Sequence, residues 1–371
     1  MVKFFPGIKK LTYFIVAIIT LASCSSAQKR DNANKGYSES DKIASRLKYL
    51  ENSFSGQILV AQNDSIIFER NYGWANREEN IKTSSHSLYD ICSITKQFTA
   101  VAILQLVDKG KLKLKDSLGM FFPHIDSIKS TITIHQLLTH TSGLPEYSGK
   151  DADKIMQKDL IHWLDTTALD NMPGKVFSYS NPGYSILALL IERISGQSYE
   201  QFLKENIFDP CRMNQTGYRL FNYNPENLTI GYLKDTVYGN PIEMYKWNSE
   251  GPYWNLRGNG GLLSNAIDLY RFNSHLLSGK LLSENSLKLM LDKQTPTNLK
   301  NRYYGYGVWM SEDKYGHWHN HTGGNGIYYS DLLWYDDRAT TIVILTNNFK
   351  PKLLRHMYDN LLDVVFSESE N

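Results

Sequence analysis

Hydrophobic positions recur along this chain with two periods, and their distribution sorts it into segments. Ile43, Leu47 and Leu50 fall three to four residues apart, which predicts a helix with Asp41 as its cap or in its first turn. Phe54-Ser55-Gly56-Gln57-Ile58-Leu59-Val60-Ala61 and Ser65-Ile66-Ile67-Phe68-Glu69-Arg70 are short apolar runs on either side of the polar Gln62-Asn63-Asp64. That pattern predicts an antiparallel hairpin. Residues 94–109 are apolar around most of a helical circumference and stop at Gly110, so this helix belongs at the centre of a domain. Further helices are predicted at 134–140, 183–195, 199–206, 265–276 and 283–291. Thr133 with Gln136 makes a capping box for the first of these, and Ser264 is the expected cap of the helix at 265. Strands return at 306–310, 326–336 and 340–346, and a helix over 353–366 closes the pattern.

Strands at both ends with helices between them match neither regular βαβ alternation nor an all-β chain. They predict a mainly antiparallel sheet built from both ends of the sequence, with a helical region inserted. The stretch 207–257 is rich in Asn, Tyr, Gly and Pro and has no clear period. It is expected to pack as loops over the surface near a functional site.

The first forty residues follow other rules. Lys3, Lys9 and Lys10 precede an apolar run at 11–22, too short to span a bilayer comfortably and typical of a secretory signal. It ends in Leu21-Ala22-Ser23-Cys24, which resembles the lipobox of bacterial lipoproteins, where cleavage precedes a cysteine that receives lipid. Residues 25–40 are polar and aperiodic, as suits a tether. The expected organisation is a signal peptide at 1–23, a tether at 24–40 that begins with lipidated Cys24, and one domain at 41–366. The expected location is the bacterial cell envelope, held to a membrane through that lipid.

Composition narrows the chemistry. A net charge of +2 with no long basic run gives nucleic-acid binding little electrostatic support. Three cysteines allow at most one disulfide. No cluster of His, Cys and carboxylates has zinc-site spacing, so no metal or cofactor is expected. His317, His319 and His321 alternate and would share a face of an extended strand. The sequence is silent on oligomeric state.

Three short motifs carry reactive groups. Ser93-Ile94-Thr95-Lys96 opens the buried helix, where positions three apart face the same way. A serine at a helix start is favoured by free N–H groups and the positive dipole end, and a lysine in a dry helix loses its proton more readily than in water. Tyr179-Ser180-Asn181 precedes another helix and supplies a phenol and an amide, the amide able to hold a substrate carbonyl and a lysine at once. His321-Thr322-Gly323-Gly324, followed by Asn325, adds an imidazole and glycines that let the chain run close to a substrate. Cys92 adjoins Ser93 but reads as buried packing, and Asp116 and His140 read as structural.

The order Ser-x-x-Lys, Tyr-x-Asn, His-Thr-Gly resembles the serine β-lactamase and penicillin-binding protein superfamily, and in its Tyr-x-Asn form the class C branch. The stretches Leu137-Leu138-Thr139-His140-Thr141-Ser142-Gly143-Leu144-Pro145, Gly260-Gly261-Leu262-Leu263-Ser264 and Tyr304-Gly305-Tyr306-Gly307 fit the same branch. The resemblance implies an α+β fold, an αβα sandwich whose mixed, mainly antiparallel sheet is flanked by helices, with an all-helical lobe beside the cleft. It also implies Ser93 as nucleophile, Lys96 and Tyr179 as proton carriers, and Asn181, His321, Thr322, Gly323, Gly324 and Asn325 as substrate contacts. The oxyanion hole would be the N–H of Ser93 and one from Gly324 or Asn325.

The chain departs from that pattern at Asn320, where the family often has Gly, and at His321, where true β-lactamases carry Lys. Loss of the fixed positive charge disfavours a carboxylate-bearing substrate. The expected activity is therefore an acyl-enzyme hydrolase for an ester or amide, a carboxylesterase or D-amino-acid peptidase. Its substrate would be a small or peptidoglycan-derived acyl compound. The alternatives are a D-alanyl-D-alanine carboxypeptidase, a weak β-lactamase, or an inactive cell-wall binding protein that keeps the fold.

Overall fold

A computed structural model describes residues 38–234 and 236–367. The expected signal peptide and the expected lipidation site Cys24 lie outside the described residues. The first helix described, α1, is Glu39–Arg46 with Asp41 in its first turn, and it begins two residues before the domain start expected at 41.

An eight-stranded sheet forms the centre. Its strands are β1 (Gly56–Gln62), β2 (Ser65–Tyr72), β3 (Thr295–Pro296), β4 (Tyr303–Tyr304), β5 (Trp309–Asp313), β6 (Gly316–Gly324), β7 (Tyr329–Tyr335) and β8 (Thr340–Thr346). They run in the order β2-β1-β8-β7-β6-β5-β4-β3. Every pairing in this sheet is antiparallel, in keeping with the mainly antiparallel sheet expected. The β1–β2 loop is two residues, Asn63 and Asp64, with φ of 49° and 60°. Positive φ at both central positions is the turn geometry that matches the twist of paired strands, and Asn and Asp tolerate it.

The side chains of β1 show how the sheet is covered. Ile58 and Val60 join Ile342 and Ile344 in one core, together with Ile43 of α1, Leu47 just after it, and Leu354, Met357 and Leu361 of the closing helix, α9 (Pro351–Phe366). Leu59 and Ala61 point the other way, into a larger core with Val343 and Leu345. Sheet strands buried on both faces read as continuous apolar runs, which is why the β1 and β8 sequences lack a clean alternation. The larger core also holds α2 (Thr95–Asp108), where twelve successive residues from Thr95 to Leu106 are buried. Around it lie α3 (Ile134–Leu138), α4 (Gln157–Thr166), α5 (Asn181–Ser195), α6 (Tyr199–Leu203), α7 (Ala266–Leu277) and α8 (Glu284–Leu291). The sandwich and its helical insertion are as the sequence predicts.

Two local expectations shift. The strand placed at 306–310 starts at Trp309. Gly307 has φ of 73° and lies so near the backbone of α2 that a Cβ there would sit 2.9 Å from the Lys96 carbonyl oxygen, so residues 305–308 form a turn. The cap of α7 is Asn265, whose Oδ1 accepts the Asp268 N–H at 2.9 Å, while Ser264 pairs with Tyr89 in a short bridge. The capping box of Thr133 and Gln136 forms as expected. Among the described residues no helix is long and apolar enough to cross a membrane.

Candidate active site

The turn that carries Ser93 is held by a buried carboxylate. Cys92 has φ of 46°, a strained value for a side-chain-bearing residue, and its N–H donates to Asp90 Oδ1 at 2.7 Å. The chain then makes one tight turn, Cys92–Ile94, and enters α2. This places Ser93 one turn ahead of Lys96, and Lys96 Nζ lies 3.1 Å from Ser93 Oγ.

Lys96 is fully buried. Its amine donates to Asn181 Oδ1 and to the Asn259 carbonyl, each at 2.7 Å. A neutral amine has two N–H donors and one lone pair. Two strong acceptors engage the donors, and the lone pair is left for the Ser93 hydroxyl proton. Burial favours that neutral form, bringing the Lys96 pKa down to about 7. Asn181 is the first residue of α5, and Ser180 caps that helix, so its geometry is locked by the helix start.

Tyr179 stands beside this pair. Its hydroxyl is hydrogen-bonded to Ser93, and burial holds its pKa above the ordinary phenol value. The phenol is therefore protonated at neutral pH, and Lys96 is the group able to accept the serine proton. The Lys96 Nζ stands 4.9 Å from the Tyr179 ring centre.

Behind Tyr179 lies a dry cluster that sequence reasoning assigned differently. His140, read as structural, lies 4.2 Å from the Tyr179 ring, centre to centre. Its Nδ1 accepts the N–H of Ser180 at 3.0 Å, so Nε2 carries the proton toward the Tyr304 hydroxyl at 3.2 Å. Tyr304 in turn reaches His321 Nε2 at 3.0 Å, and His321 Nδ1 donates to the Thr322 carbonyl at 2.8 Å. One chain of neutral groups satisfies every nitrogen. Burial, with Lys96 nearby, pushes the His321 pKa to about 3.

His321 is 1% exposed and does not line the cleft, which corrects the expectation that its ring touches substrate. Alternation on β6 predicted that His317, His319 and His321 share a face, but it could not say which face meets the cavity. His317 bonds Asp337 at 2.9 Å on the surface instead. Gly323 is also off the cavity wall. A Cβ there would lie 2.3 Å from the Ile91 carbonyl oxygen and 2.8 Å from Cys92 Cβ. Its bareness admits the turn at Ile91 and Cys92.

The cleft itself has a volume of about 480 Å³. Ser93, Tyr179 and Asn181 line it with Thr322, Gly324 and Asn325. The Asn325 N–H faces the Tyr328 carbonyl at 3.4 Å, whereas Gly324 lines the cleft beside Ser93. The Asn325 side chain is engaged too, its amide donating to the Tyr245 hydroxyl at 2.5 Å. Tyr245 also donates to Asp90 Oδ2 at 2.5 Å, so the irregular stretch 207–257 does reach the site. The departure at Asn320 is likewise accommodated: its amide donates to the buried Asp331 at 3.1 Å.

Sequence reasoning missed Asp90, Glu146, Asp151, Tyr245 and Asn259, all of which line the cleft. Asp90 adjoins the nucleophile motif and could have been suspected on that ground. The others sit in loops whose sequences carry no period. Cys92 is buried as read, with a thiol pKa well above the ordinary value because of burial. Among the described residues no group of three or more His, Cys, Asp or Glu is arranged to hold a metal ion.

Comparison with known proteins agrees with this geometry. A family model described as Beta-lactamase matches residues 48–366. The chain is 31% identical over 314 residues to penicillin-binding protein 4* of Bacillus subtilis (strain 168), covering 80% of this chain and 69% of that one. It resembles the crystal structure of a penicillin binding protein from Bacillus halodurans with a TM-score of 0.73 and 27% identity, over 87% of this chain and 98% of that one. The fold is shared with D-amino acid amidase from Ochrobactrum anthropi SV3, with a TM-score of 0.75 at 20% identity over 89% and 98% of the two chains.

Proposed function

Since this chain belongs to the Beta-lactamase family, we propose that it is a serine hydrolase that cleaves an ester or amide through an acyl-enzyme on Ser93. The observation that carries the reading is the environment of Lys96. A solvated lysine is a poor base at neutral pH, whereas this one is dry, holds two acceptors and turns its lone pair to Ser93.

The reaction then follows from the groups present. Ser93 Oγ bonds to the carbonyl carbon while its proton passes to Lys96 Nζ. The carbonyl oxygen takes up negative charge between the N–H groups of Ser93 and Gly324. As the bond to the leaving group breaks, that group receives the proton by way of Lys96 and Tyr179. Water repeats the sequence in reverse roles, releasing the acid and restoring Ser93. Asn181 holds Lys96 and presents its N–H₂ to the substrate carbonyl region.

A carboxylesterase or D-amino-acid peptidase fits better than a carboxypeptidase or β-lactamase, because among the described residues no Arg, Lys or His lines the cleft to hold a substrate carboxylate. The likeness to penicillin-binding proteins keeps D-alanyl-D-alanine cleavage as the second reading. Lipid attachment at Cys24 and residence in the cell envelope belong to the same proposal. They rest on the Leu21-Ala22-Ser23-Cys24 sequence, and a chain starting at Cys24 with added acyl mass is the expected finding by mass spectrometry.

The test of the activity is intact-protein mass spectrometry after mixing with a fluorophosphonate and, separately, with a penicillin. An adduct on the peptide containing Ser93, absent in Ser93→Ala, is expected with the fluorophosphonate. Equal hydrolysis of p-nitrophenyl acetate by wild type and Ser93→Ala would place the nucleophile elsewhere. A faster and more stable adduct with penicillin would favour the second reading.

A further inference from the structure

Three stretches far apart in sequence converge on one carboxylate at the cleft wall. Asp90, Tyr245 and Asn325 line the cavity that holds Ser93, yet they are separated pairwise by 80, 155 and 235 positions. Asp90 is 1% exposed. Its Oδ1 accepts the Cys92 N–H at 2.7 Å, and its Oδ2 accepts the Tyr245 hydroxyl at 2.5 Å and the Asn325 side-chain amide at 3.4 Å. That amide also donates to the Tyr245 oxygen at 2.5 Å, which closes a triangle. The other end of Asn325 is fixed as well: its Oδ1 accepts the N–H groups of Ile327 and Tyr328 at 2.9 and 2.8 Å. Burial raises the Asp90 pKa to about 6, so at pH 8 the group is a carboxylate. Three donors meeting on two oxygens is an arrangement that only an all-acceptor group satisfies.

The two arms of this triangle end at two different turns. One is the turn before Ser93, where Cys92 has φ of 46°. The other is the turn from β6 to β7, which directly follows Gly324. These turns adjoin the two N–H groups, of Ser93 and Gly324, between which the acyl-enzyme reading places the oxyanion. A second tie between the same regions, from Ser330 Oγ to the Ile91 carbonyl at 2.7 Å, lies off the cleft. The cavity side is held by Asp90, Tyr245 and Asn325.

We propose that Asp90, Tyr245 and Asn325 are positioning residues, a brace that fixes the spacing of the two oxyanion donors. This rests on the acyl-enzyme reading above and adds to it what sets the hole before substrate arrives. Such a hole stabilises the transition state only when its donors already stand at the right separation, and a misplacement of about 1 Å can cost ~10²-fold. The partners of Lys96 lie elsewhere, at Ser93, Asn181 and Asn259. Loss of the brace is therefore expected to act on the oxyanion and not on proton transfer.

The test uses two esters that differ in one atom, p-nitrophenyl acetate and its thiono analogue, in which sulfur replaces the carbonyl oxygen. Sulfur accepts hydrogen bonds weakly. The oxo-to-thiono ratio of kcat/KM, each value divided by the ester's own hydroxide rate, therefore reports the hole and cancels the fraction of active protein. Asn325→Asp keeps an acceptor for the Ile327 and Tyr328 N–H groups but sets an oxygen against the Asp90 carboxylate. Asp90→Asn sets an N–H₂ among donors. Each is expected to lower the ratio roughly 10- to 100-fold at pH 8. The double variant Asp90→Asn with Asn325→Asp exchanges donor and acceptor, and is expected to recover the ratio to within about threefold. Tyr245→Phe removes one hydroxyl with the ring kept in place and is expected to lower the ratio roughly tenfold; it carries the test where a charge change does not give folded protein.

A brace with a purely structural role would slow both esters in proportion and leave the ratio unchanged, and that result overturns the proposal. So does a fallen ratio that the double variant fails to recover, because the residues then act separately. Ser93-dependent turnover without any oxo preference in the wild type also overturns it and leaves the hydrolase reading standing. Turnover that survives Ser93→Ala removes the hydrolase reading and this inference with it.

Discussion

On the acyl-enzyme proposal, the pH at which Ser93 is acylated is set by how dry Lys96 is, and the size of the effect can be worked out. A solvated lysine with a pKa of 10.5 has only about one amine in 3,000 neutral at pH 7. At about 7 half are neutral, so burial raises the competent fraction roughly 10³-fold. The acylation rate is therefore expected to rise about tenfold per pH unit between roughly 5 and 6, bend near 7 and level off by about 8.5.

The same burial costs stability. The folded pKa lies below the unfolded one, so in the window from about 7 to 10.5 the unfolded chain binds the extra proton. Stability then rises with pH across that window, and the whole cost stands below about 7. Converted at 1.36 kcal/mol per tenfold, the displacement from 10.5 to about 7 is roughly 5 kcal/mol.

The assay is the pre-steady-state burst with p-nitrophenyl acetate from pH 5 to 9, alongside urea denaturation at pH 7 and 10. Lys96→Met is expected to slow the burst by ~10²-fold or more and to abolish its pH step. It is also expected to flatten stability between the two pH values. Its gain at pH 7 falls short of the full 5 kcal/mol or so, because Asn181 Oδ1 and the Asn259 carbonyl lose their donor. A burst that climbs only near pH 10, or an unchanged profile in Lys96→Met, would refute the reasoning.

Three further outcomes follow from the surroundings of the serine. Gly323→Ala brings a Cβ to 2.3 Å from the Ile91 carbonyl oxygen and is expected to displace the nucleophile turn; burst acylation should fall at least roughly tenfold while circular dichroism shows a folded chain. Tyr304→Phe removes the hydroxyl shared by His140 and His321 and is expected to lower stability by roughly 1–3 kcal/mol in urea titration, an undiminished midpoint refuting the relay. Tyr179→Phe keeps the ring stack but not the hydroxyl; steady-state kcat is expected to drop by ~10²-fold with little change in melting temperature, and full activity would free Tyr179 of any role in proton transfer.

Where the sequence was informative, a local period carried the information. Ser93 and Lys96 meet because three residues span most of one helical turn, and that holds in any tertiary setting. The caps at Thr133 and the start of α5 at Asn181 are equally local, and so is the hairpin through Asn63 and Asp64. The rest of the cavity is a tertiary product. Asp151 comes from one loop and Tyr245 and Asn259 from another, and no spacing in the chain relates them to Ser93. His321 was legible as a position on a strand but not as a direction, since a period of two leaves the choice of face to the packing of α2 and β4. The strand expected at 306 was displaced by the close approach of Gly307 to α2, a contact between residues 211 positions apart in sequence, counted from 96 to 307.

The strand order has a consequence for how the molecule comes into being. β1 lies between β2 and β8, with Ile58 opposite Ile344. A chain emerging from a ribosome or a translocation pore thus exposes the apolar inner edge of its first hairpin until nearly everything else has followed. Pairings over such sequence distances form late and slowly. The early hairpin is therefore a hazard for self-association for the whole duration of synthesis, and the chain suits escort in an unfolded state better than stepwise folding from its leading end.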